Sequence, residues 1–120
     1  MLPRHFRLRR REDFEAARQR GKRWHDKLLA LNVLPSDLSH NRFGFVVSRR
    51  VGKATVRNLV KRRLRAAARV WLPHLATGYD IVIVARPAAS DVSYQELETV
   101  LEKLLGLAGL FMPQNVDAMQ

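Results

Sequence analysis

The chain of 120 residues contains no cysteine, and this absence excludes several kinds of site. Disulfide frameworks, thiolate metal sites and cysteine nucleophiles all need a thiol. The longest apolar runs, such as Ile81 to Ala85, are far shorter than the roughly 20 residues of a membrane-spanning helix. The N-terminus is charged where a secretory signal would be apolar. We therefore expect a cytoplasmic protein without a membrane partner, folded as a single domain over residues 1–120, with flexible ends at about 1–8 and 113–120.

Acidic residues are scarce and unevenly placed. The chain has 22 Lys and Arg against 11 Asp and Glu, which gives a net charge of +11. Residues 38–79 include ten basic side chains and no acid, whereas residues 81–120 include two basic and five acidic side chains and are net −3. The positive charge is therefore concentrated in one part of the molecule, as expected for a surface that binds a polyanion.

The sequence from Lys53 to Leu72 predicts a helix with two contrasting faces. At about 100° per residue, polar side chains fall in one arc of about 140° and apolar side chains fall opposite. The polar arc contains Lys53, Arg57, Asn58, Lys61, Arg62, Arg65 and Arg69, and the apolar arc contains Val56, Val60, Leu64, Ala67, Val70 and Trp71. Arg63 falls in the apolar arc, so we expect its stem to pack and its head to reach solvent. Because the cations repel one another, this face predicts binding of phosphates rather than a merely solvated surface.

The other elements follow from hydrophobic patterning. We expect a short helix over Arg11–Gln19, strands over 27–34, 42–48 and 80–86, and a final helix over Tyr94–Leu107 that begins at the cap residue Ser93. The order is α-β-β-α-β-α. A strand, a crossover helix and a parallel strand predict an α/β sandwich with helices packed on a small sheet, right-handed by default.

Three functional classes could account for a strongly basic chain of this size. A protein nuclease would need clustered carboxylates or a histidine acid–base pair, but Glu12, Asp13 and Glu15 lie at a helix start and the four histidines have no ligand spacing. We predict no catalytic residue and no metal ligand. A helix-turn-helix is disfavoured because a strand-like segment precedes the basic helix. A ribosomal or other structural RNA-binding protein stays open as the alternative, since it would have the same composition.

Four segments together resemble the protein subunit of bacterial ribonuclease P. They are Glu12-Asp13-Phe14 with Gly21, Ser48-Arg49-Arg50-Val51-Gly52, the signature Ala54 through Arg57-Asn58 to Lys61-Arg62 and Arg65, and the strand Asp80 to Ala85-Arg86-Pro87. The likeness covers about residues 8–105, in the family's order. The central signature is specific, and the other segments would be weak alone.

The resemblance implies a two-layer α/β (α+β) sandwich with a small mixed sheet and a left-handed βαβ crossover. It implies that the protein binds the catalytic RNA subunit and the 5′ leader of precursor tRNA, while the RNA uses Mg²⁺ to hydrolyse the phosphodiester and the protein itself binds no ion tightly. The residues implied to contact the catalytic RNA are Arg49, Arg50, Lys53, Arg57, Asn58, Lys61, Arg62, Arg65 and Arg69. The residues implied to contact the leader, in a cleft between the first helix and the sheet, are Phe14, Arg18, Asn32 and Ser48.

The sequence departs from the family pattern at three positions. Leu59 replaces an arginine beside the core, Arg18 replaces a second cleft aromatic, and Asn32 replaces a frequent tyrosine. Arg18 could lie flat against a base or bind a phosphate. Trp24 and Trp71 are interpreted as packing residues.

Overall fold

The structure is a computed structural model that describes residues 2–113. In chain order the main elements are α1 (Arg11–Arg20), β1 (Lys22–His25), β2 (Leu29–Pro35), β3 (Arg42–Val47), α2 (Ala54–Trp71), β4 (Tyr79–Ala85) and α3 (Tyr94–Leu107). Short 3-10 turns cover Arg4–Phe6, Arg49–Val51, Leu72–His74 and Pro87–Asp91. All six predicted elements are present, and α3 has the predicted bounds.

The strands form one mixed sheet in the order β1-β2-β4-β3. β3 and β4 pair in parallel and α2 connects them, which confirms the predicted crossover unit, while β2 pairs antiparallel with both β1 and β4. The left hand of this crossover, which the family resemblance implies, stays a prediction. The predicted order was wrong in omitting β1. Its residues, Lys-Arg-Trp-His, have no apolar alternation, and the strand exists because its backbone pairs with β2 at the edge of the sheet.

The predicted strand over residues 27–34 begins two residues later, at Leu29. A turn precedes it, in which the backbone N–H of Leu28 donates to Oδ1 of Asp26 at 3.0 Å and the N–H of Asp26 donates to the carbonyl of Leu29 at 2.8 Å. Local side-chain hydrogen bonds of this kind favour a turn over continued sheet pairing.

The two faces of the sheet are covered unequally. Alternate residues of β2 and β4, such as Leu31 and Ile83, pack with α2 and α3 in the main core. On the other face, a smaller cluster joins Val82 to Ala17 of α1 and to Leu8. The helix α1 has only ten residues and covers part of this face, so the remainder of the sheet surface stays open beside it.

The helix α2 has the predicted phase with two differences. It buries Val60, Leu64, Ala67 and Ala68. Arg63 is half-buried, as its place in the apolar arc predicted. Its head was expected to reach solvent, but Nη1 donates to the carbonyl of Val92 at 3.0 Å. Val70, expected in the core, is 42% exposed because it lies at the margin of the buried stripe, and Leu59 is 37% exposed. No helix within residues 2–113 is long and apolar enough to cross a bilayer.

The N-terminal segment is packed against the sheet, in contrast to the flexible end expected over residues 1–8. Leu2 and Leu8 are buried, and the N–H of Leu8 donates to the carbonyl of Phe43 at 2.7 Å. The sequence hides this packing because the two leucines stand among arginines. Met1 and the predicted flexible tail from residue 114 onwards lie outside the described residues.

Candidate nucleic-acid interface

The exposed face of α2 is the first part of the site. Gly52, with φ 154°, occupies a backbone region that side chains disfavour, and it lets the chain turn from β3 into α2. The helix then repeats its cations every three or four residues on one face. A groove of about 290 Å³ on this face is lined by Asn58, Lys61, Arg62 and Arg65, four of the residues predicted to bind RNA.

Within residues 2–113, no acidic side chain forms an ion pair with the cations on this face. The first turn of α2 contains no acid, and its N-cap, Lys53, makes no side-chain capping hydrogen bond. The Nε atoms of Arg57 and Arg65 are buried and have no hydrogen-bond partner among residues 2–113. Guanidinium groups bind phosphates through their outer N–H donors, and the positive end of the helix dipole also favours anions. The face is therefore suited to a polyanion.

The remaining predicted cations surround this groove without lining it. Arg49 and Arg50 are exposed on the 3-10 turn before Gly52, Lys53 is exposed at the start of α2, and Arg69 is exposed near its end. They extend the positive surface along the whole length of the helix.

A cleft on the open face of the sheet is the second part of the site. It has a volume of about 340 Å³ and runs between α1 and the strands. Its lining residues are Phe14, Glu15, Arg18, Arg23, Asn32, Val46, Val82 and Val84. The structure thus brings together three of the four predicted leader-binding residues. The fourth, Ser48, is exposed just beyond the end of β3 and does not line the cleft.

Phe14 owes its position to a glycine on β3. A Cβ atom at Gly44 would collide with the ring of Phe14, so the absence of a side chain lets the ring lie directly on the strand. Leu8 and Val82 pack nearby. Phe14 is only half-buried: its ring packs on the protein and also lines the cleft.

Asn32 supplies a polar group in the middle of the cleft floor. It is 2% exposed, it lies on the central strand β2, and its register partners are Arg23 on β1 and Val82 on β4. A side-chain amide can both donate and accept hydrogen bonds. The cleft therefore combines an aromatic ring, an amide, cations and apolar valines.

An ion-pair network fixes α1 beside the cleft. Arg42 donates two hydrogen bonds to the carboxylate of Asp80, at 2.9 and 2.8 Å, and a longer one of 3.4 Å to Asp13 of α1. The hydrogen bonds to Asp80 are the main cause that raises the pKa of Arg42 above its ordinary value. Because Asp13 precedes Phe14, this network connects β3 and β4 to the helix that carries the cleft aromatic.

A small pocket of about 150 Å³ joins the two parts across the β3 edge of the sheet. Lys61 and Arg65 of α2 line it together with Phe14, and the N-terminal segment adds Arg7 and Arg9. Phe14 therefore belongs to both the cleft and this pocket. The Nε atom of Arg7 is also buried without a hydrogen-bond partner in the described chain.

The sequence-based prediction missed Arg7, Arg9 and Arg23. The alternation of Arg7 and Arg9 around the buried Leu8 was an available signal of an extended segment with both cations on one side. No local signal identified Arg23, because its role depends on the pairing of β1 with β2.

The carboxylates and histidines in the part of the chain that the structure describes do not form a metal site. Within residues 2–113, no three His, Asp or Glu side chains come together so as to hold a metal ion. The arrangement of a basic helix face beside an aromatic and basic cleft is typical of an RNA-binding protein.

Comparison with known proteins agrees with this class. The family model described as Ribonuclease P matches residues 2–109, and the chain belongs to this family. The ribonuclease P protein component of Chloroflexus aurantiacus is 44% identical over 110 residues, covering 91% of this chain and 82% of the relative. That of Roseiflexus castenholzii is 37% identical over 110 residues, covering 91% and 90%.

Solved structures agree with the fold. The RNase P protein of Staphylococcus aureus superposes with a TM-score of 0.83 at 27% identity, covering 89% of this chain and 98% of that one. The RNase P protein of Thermotoga maritima, in complex with 1-(4-fluorophenyl)-2-thiourea, gives a TM-score of 0.75 at 32% identity, covering 82% and 96%. The family and the mixed α+β fold that the sequence predicted are thereby confirmed, and the ribosomal alternative gains no support.

Proposed function

We propose that this chain is the protein subunit of ribonuclease P, and that it holds two RNAs at once. The face of α2 binds the catalytic RNA, and the cleft beside α1 binds the 5′ leader of precursor tRNA. The observation that carries the proposal is the pocket at the β3 edge, where Lys61 and Arg65 of the helix face meet Phe14 of the cleft. Two RNA-binding surfaces that share a border can bring a substrate leader next to the catalytic RNA.

The composition of each surface supports its assignment. Three of the four side chains that line the α2 groove are cations and the fourth is an amide, which suits the phosphates of a folded RNA whose bases are paired. The cleft has a half-exposed aromatic ring, valines and an amide, which suit the unpaired bases of a single strand. Arg18 and Arg23 border the same cleft and can hold the leader phosphates.

We assign the chemistry to the RNA subunit. Hydrolysis of a phosphodiester by a protein site of the two-metal kind requires clustered carboxylates, and the described residues do not provide such a cluster. Mg²⁺ would be held by the RNA. The protein would lower the magnesium and salt requirement, because its positive surface offsets the repulsion between two polyanions. Its cytoplasmic location is part of the same proposal.

Reconstitution tests the function. We expect purified protein alone to leave precursor tRNA intact at every magnesium concentration. Addition of a bacterial ribonuclease P RNA should produce cleavage at the junction of leader and acceptor stem, at a lower magnesium concentration than that RNA needs alone. Specific cleavage by RNA-free protein that survives nuclease-contaminant controls would overturn the assignment of chemistry. Failure to activate any such RNA would overturn the assignment as a subunit.

A further inference from the structure

A second groove lies on the opposite face of β1 from the cleft. It has a volume of about 330 Å³ and is open on one side. Arg20, from the last turn of α1, and Lys22 and Trp24, from β1, form one wall, and Tyr79 of β4 lies across from them. Ala108 and Leu110, which follow α3, close its far end. None of the residues assigned so far to RNA binding lines this groove.

The groove has the chemistry of a nucleotide site. Arg20 and Lys22 are exposed, neither forms an ion pair within residues 2–113, and no Asp or Glu is among the lining residues. Trp24 and Tyr79 are half-buried: each packs against the main core and leaves part of its ring facing the groove. Cations beside partly exposed aromatic rings bind single-stranded nucleic acid through phosphate contacts and base stacking.

The groove and the cleft lie on opposite faces of a single strand. Lys22 and Arg23 are consecutive residues of β1, and because side chains alternate along a strand, Lys22 lines the groove while Arg23 lines the cleft. β1 is an edge strand, so its outer side has no neighbouring strand in the sheet. The last turn of α1 repeats this arrangement, with Arg18 at the cleft and Arg20 at the groove. An RNA strand leaving the cleft at β1 would meet cations on both sides of the edge.

We infer that the groove binds the distal, 5′ part of the precursor tRNA leader. The leader runs through the cleft, passes over the edge of β1 and places a base against Trp24 and Tyr79, with its phosphates at Arg20 and Lys22. This inference rests on the proposed function, because it extends the path of the leader that the cleft begins. It makes leader length, beyond the part held in the cleft, a determinant of substrate affinity.

The test uses the reconstituted holoenzyme and precursor tRNAs whose leaders are lengthened one nucleotide at a time. For the wild-type protein we expect affinity to rise twice with length, first when the leader fills the cleft and again when it reaches the groove. The double variant Arg20→Ala/Lys22→Ala should keep the first rise and lose most of the second. Loss of two phosphate contacts should also reduce the salt slope for the longest leaders by about 1.4.

Two further variants separate contact from folding and from general charge. Trp24→Leu keeps apolar bulk against the core but removes the stacking surface, and it should weaken binding of the longest leader at least about fivefold while short leaders bind normally. Lys27→Ala removes an exposed cation near the other end of the sheet and should keep both rises. Thermal unfolding of each variant shows whether the fold is intact.

The results of these binding experiments separate a failure of the groove assignment from a failure of the proposed function. If wild-type affinity rises once only, or if the double variant keeps the second rise, the groove does not bind the leader although the cleft does. If the double variant weakens binding of the catalytic RNA alone and shifts all leaders equally, the groove belongs to the catalytic RNA and the inference is wrong. If no leader binds better than mature tRNA, the cleft assignment and this inference both fail.

Discussion

Phe14 is the residue at which packing and binding compete most directly. Its ring lies on Gly44 and contacts the small cluster around Leu8, yet it lines both the cleft and the pocket at the β3 edge. From the sequence alone a core position is the simpler interpretation. The structure gives it contact with the protein and a place in the lining of the cleft, both of which a stacking residue requires.

Replacement of Phe14 by Ala should weaken binding of precursor tRNA by about 1 to 3 kcal/mol, the value of one base stacked on an aromatic ring. Affinity for mature tRNA should barely change. Phe14→Leu is the matched control for packing, since it retains apolar contact over Gly44 without an aromatic face, and it should show a similar loss in binding with a smaller loss in stability. Equal losses for both substrates, measured by equilibrium titration of the holoenzyme, would return Phe14 to a purely structural role.

The two faces of α2 should respond oppositely to truncation. Leu64 is fully buried, and Leu64→Ala should cost about 2 to 4 kcal/mol of unfolding free energy through the cavity it leaves. Arg57→Ala or Arg65→Ala should weaken assembly with the catalytic RNA and change stability by less than about 1 kcal/mol, because their Nε atoms have no protein partner to lose. Urea unfolding and RNA titration of the three variants check this. The reverse pattern would mean that the assigned helix phase is wrong.

At the scale of elements, ionic contacts hold segments that are distant in the chain. Arg42 and Asp80 connect β3 to β4, and the longer contact to Asp13 adds α1. On the other side of the sheet, Nζ of Lys103 on α3 lies 2.9 Å from Oδ2 of Asp26 in the turn before β2. These contacts fix the helices on either side of the sheet relative to the strands that form the cleft.

The ion pair between Asp26 and Lys103 should make the free energy of unfolding depend on pH. The hydrogen bond from Lys103, aided by the N–H of Leu28, lowers the pKa of Asp26 below its ordinary 3.8. A carboxyl group with a lowered pKa in the folded state stabilises the fold above its unfolded pKa and loses that contribution as pH falls through the folded value. Asp26→Asn should therefore cost about 1 kcal/mol at pH 7, a small value because Lys103 is largely exposed, and progressively less as pH falls below 4.

Unfolding free energies of the wild type and this variant, measured between pH 7 and pH 3, check the prediction. Asp37→Asn, which changes an exposed acid, should stay within about 0.5 kcal/mol at every pH and serves as the control. A difference for Asp26→Asn that is independent of pH would show that the loss comes from packing rather than from charge.

At the scale of the whole molecule, positive and negative side chains lie on different parts of the surface. Cations line α2, the β3 edge and the cleft. The acidic residues Glu96, Glu98 and Glu102 lie on α3, which lines none of these three sites. Such an asymmetric field orients the protein as it approaches a polyanion and adds to the rate of association. It also makes binding sensitive to salt.

If α2 engages about five phosphates of the catalytic RNA, log K should fall against log[salt] with a slope between roughly −3.5 and −4.5. Lys27→Ala, which removes an exposed cation in the turn between β1 and β2, two strands away from β3, should leave the slope unchanged. Removal of Arg62 should make the slope shallower by about 1. A titration series over a range of salt concentrations measures the slope. A value near zero would contradict electrostatic binding.

The predictions from sequence agree best with the structure where residues close together in the chain determine the conformation. The period of α2, the cap at Ser93, whose Oγ accepts from the N–H of Glu96 at 3.2 Å, and the apolar strand β4 all follow from neighbouring residues. The strand β1 and the buried Leu2 did not follow, because neither has a pattern of its own. Val70 was misplaced because a helical period gives the angle of a side chain but not the width of the surface that covers it.

The sequence by itself determined the positive helix face, since composition and a 3.6-residue period are properties of the chain. It also carried the family signature. Only the tertiary structure decided which residues meet in the cleft and the grooves: strand register sets Arg23 opposite Asn32, and the parallel pairing of β3 with β4 places α2 beside Phe14 across the sheet edge. Register and packing depend on contacts between residues far apart in sequence, and no local pattern specifies them.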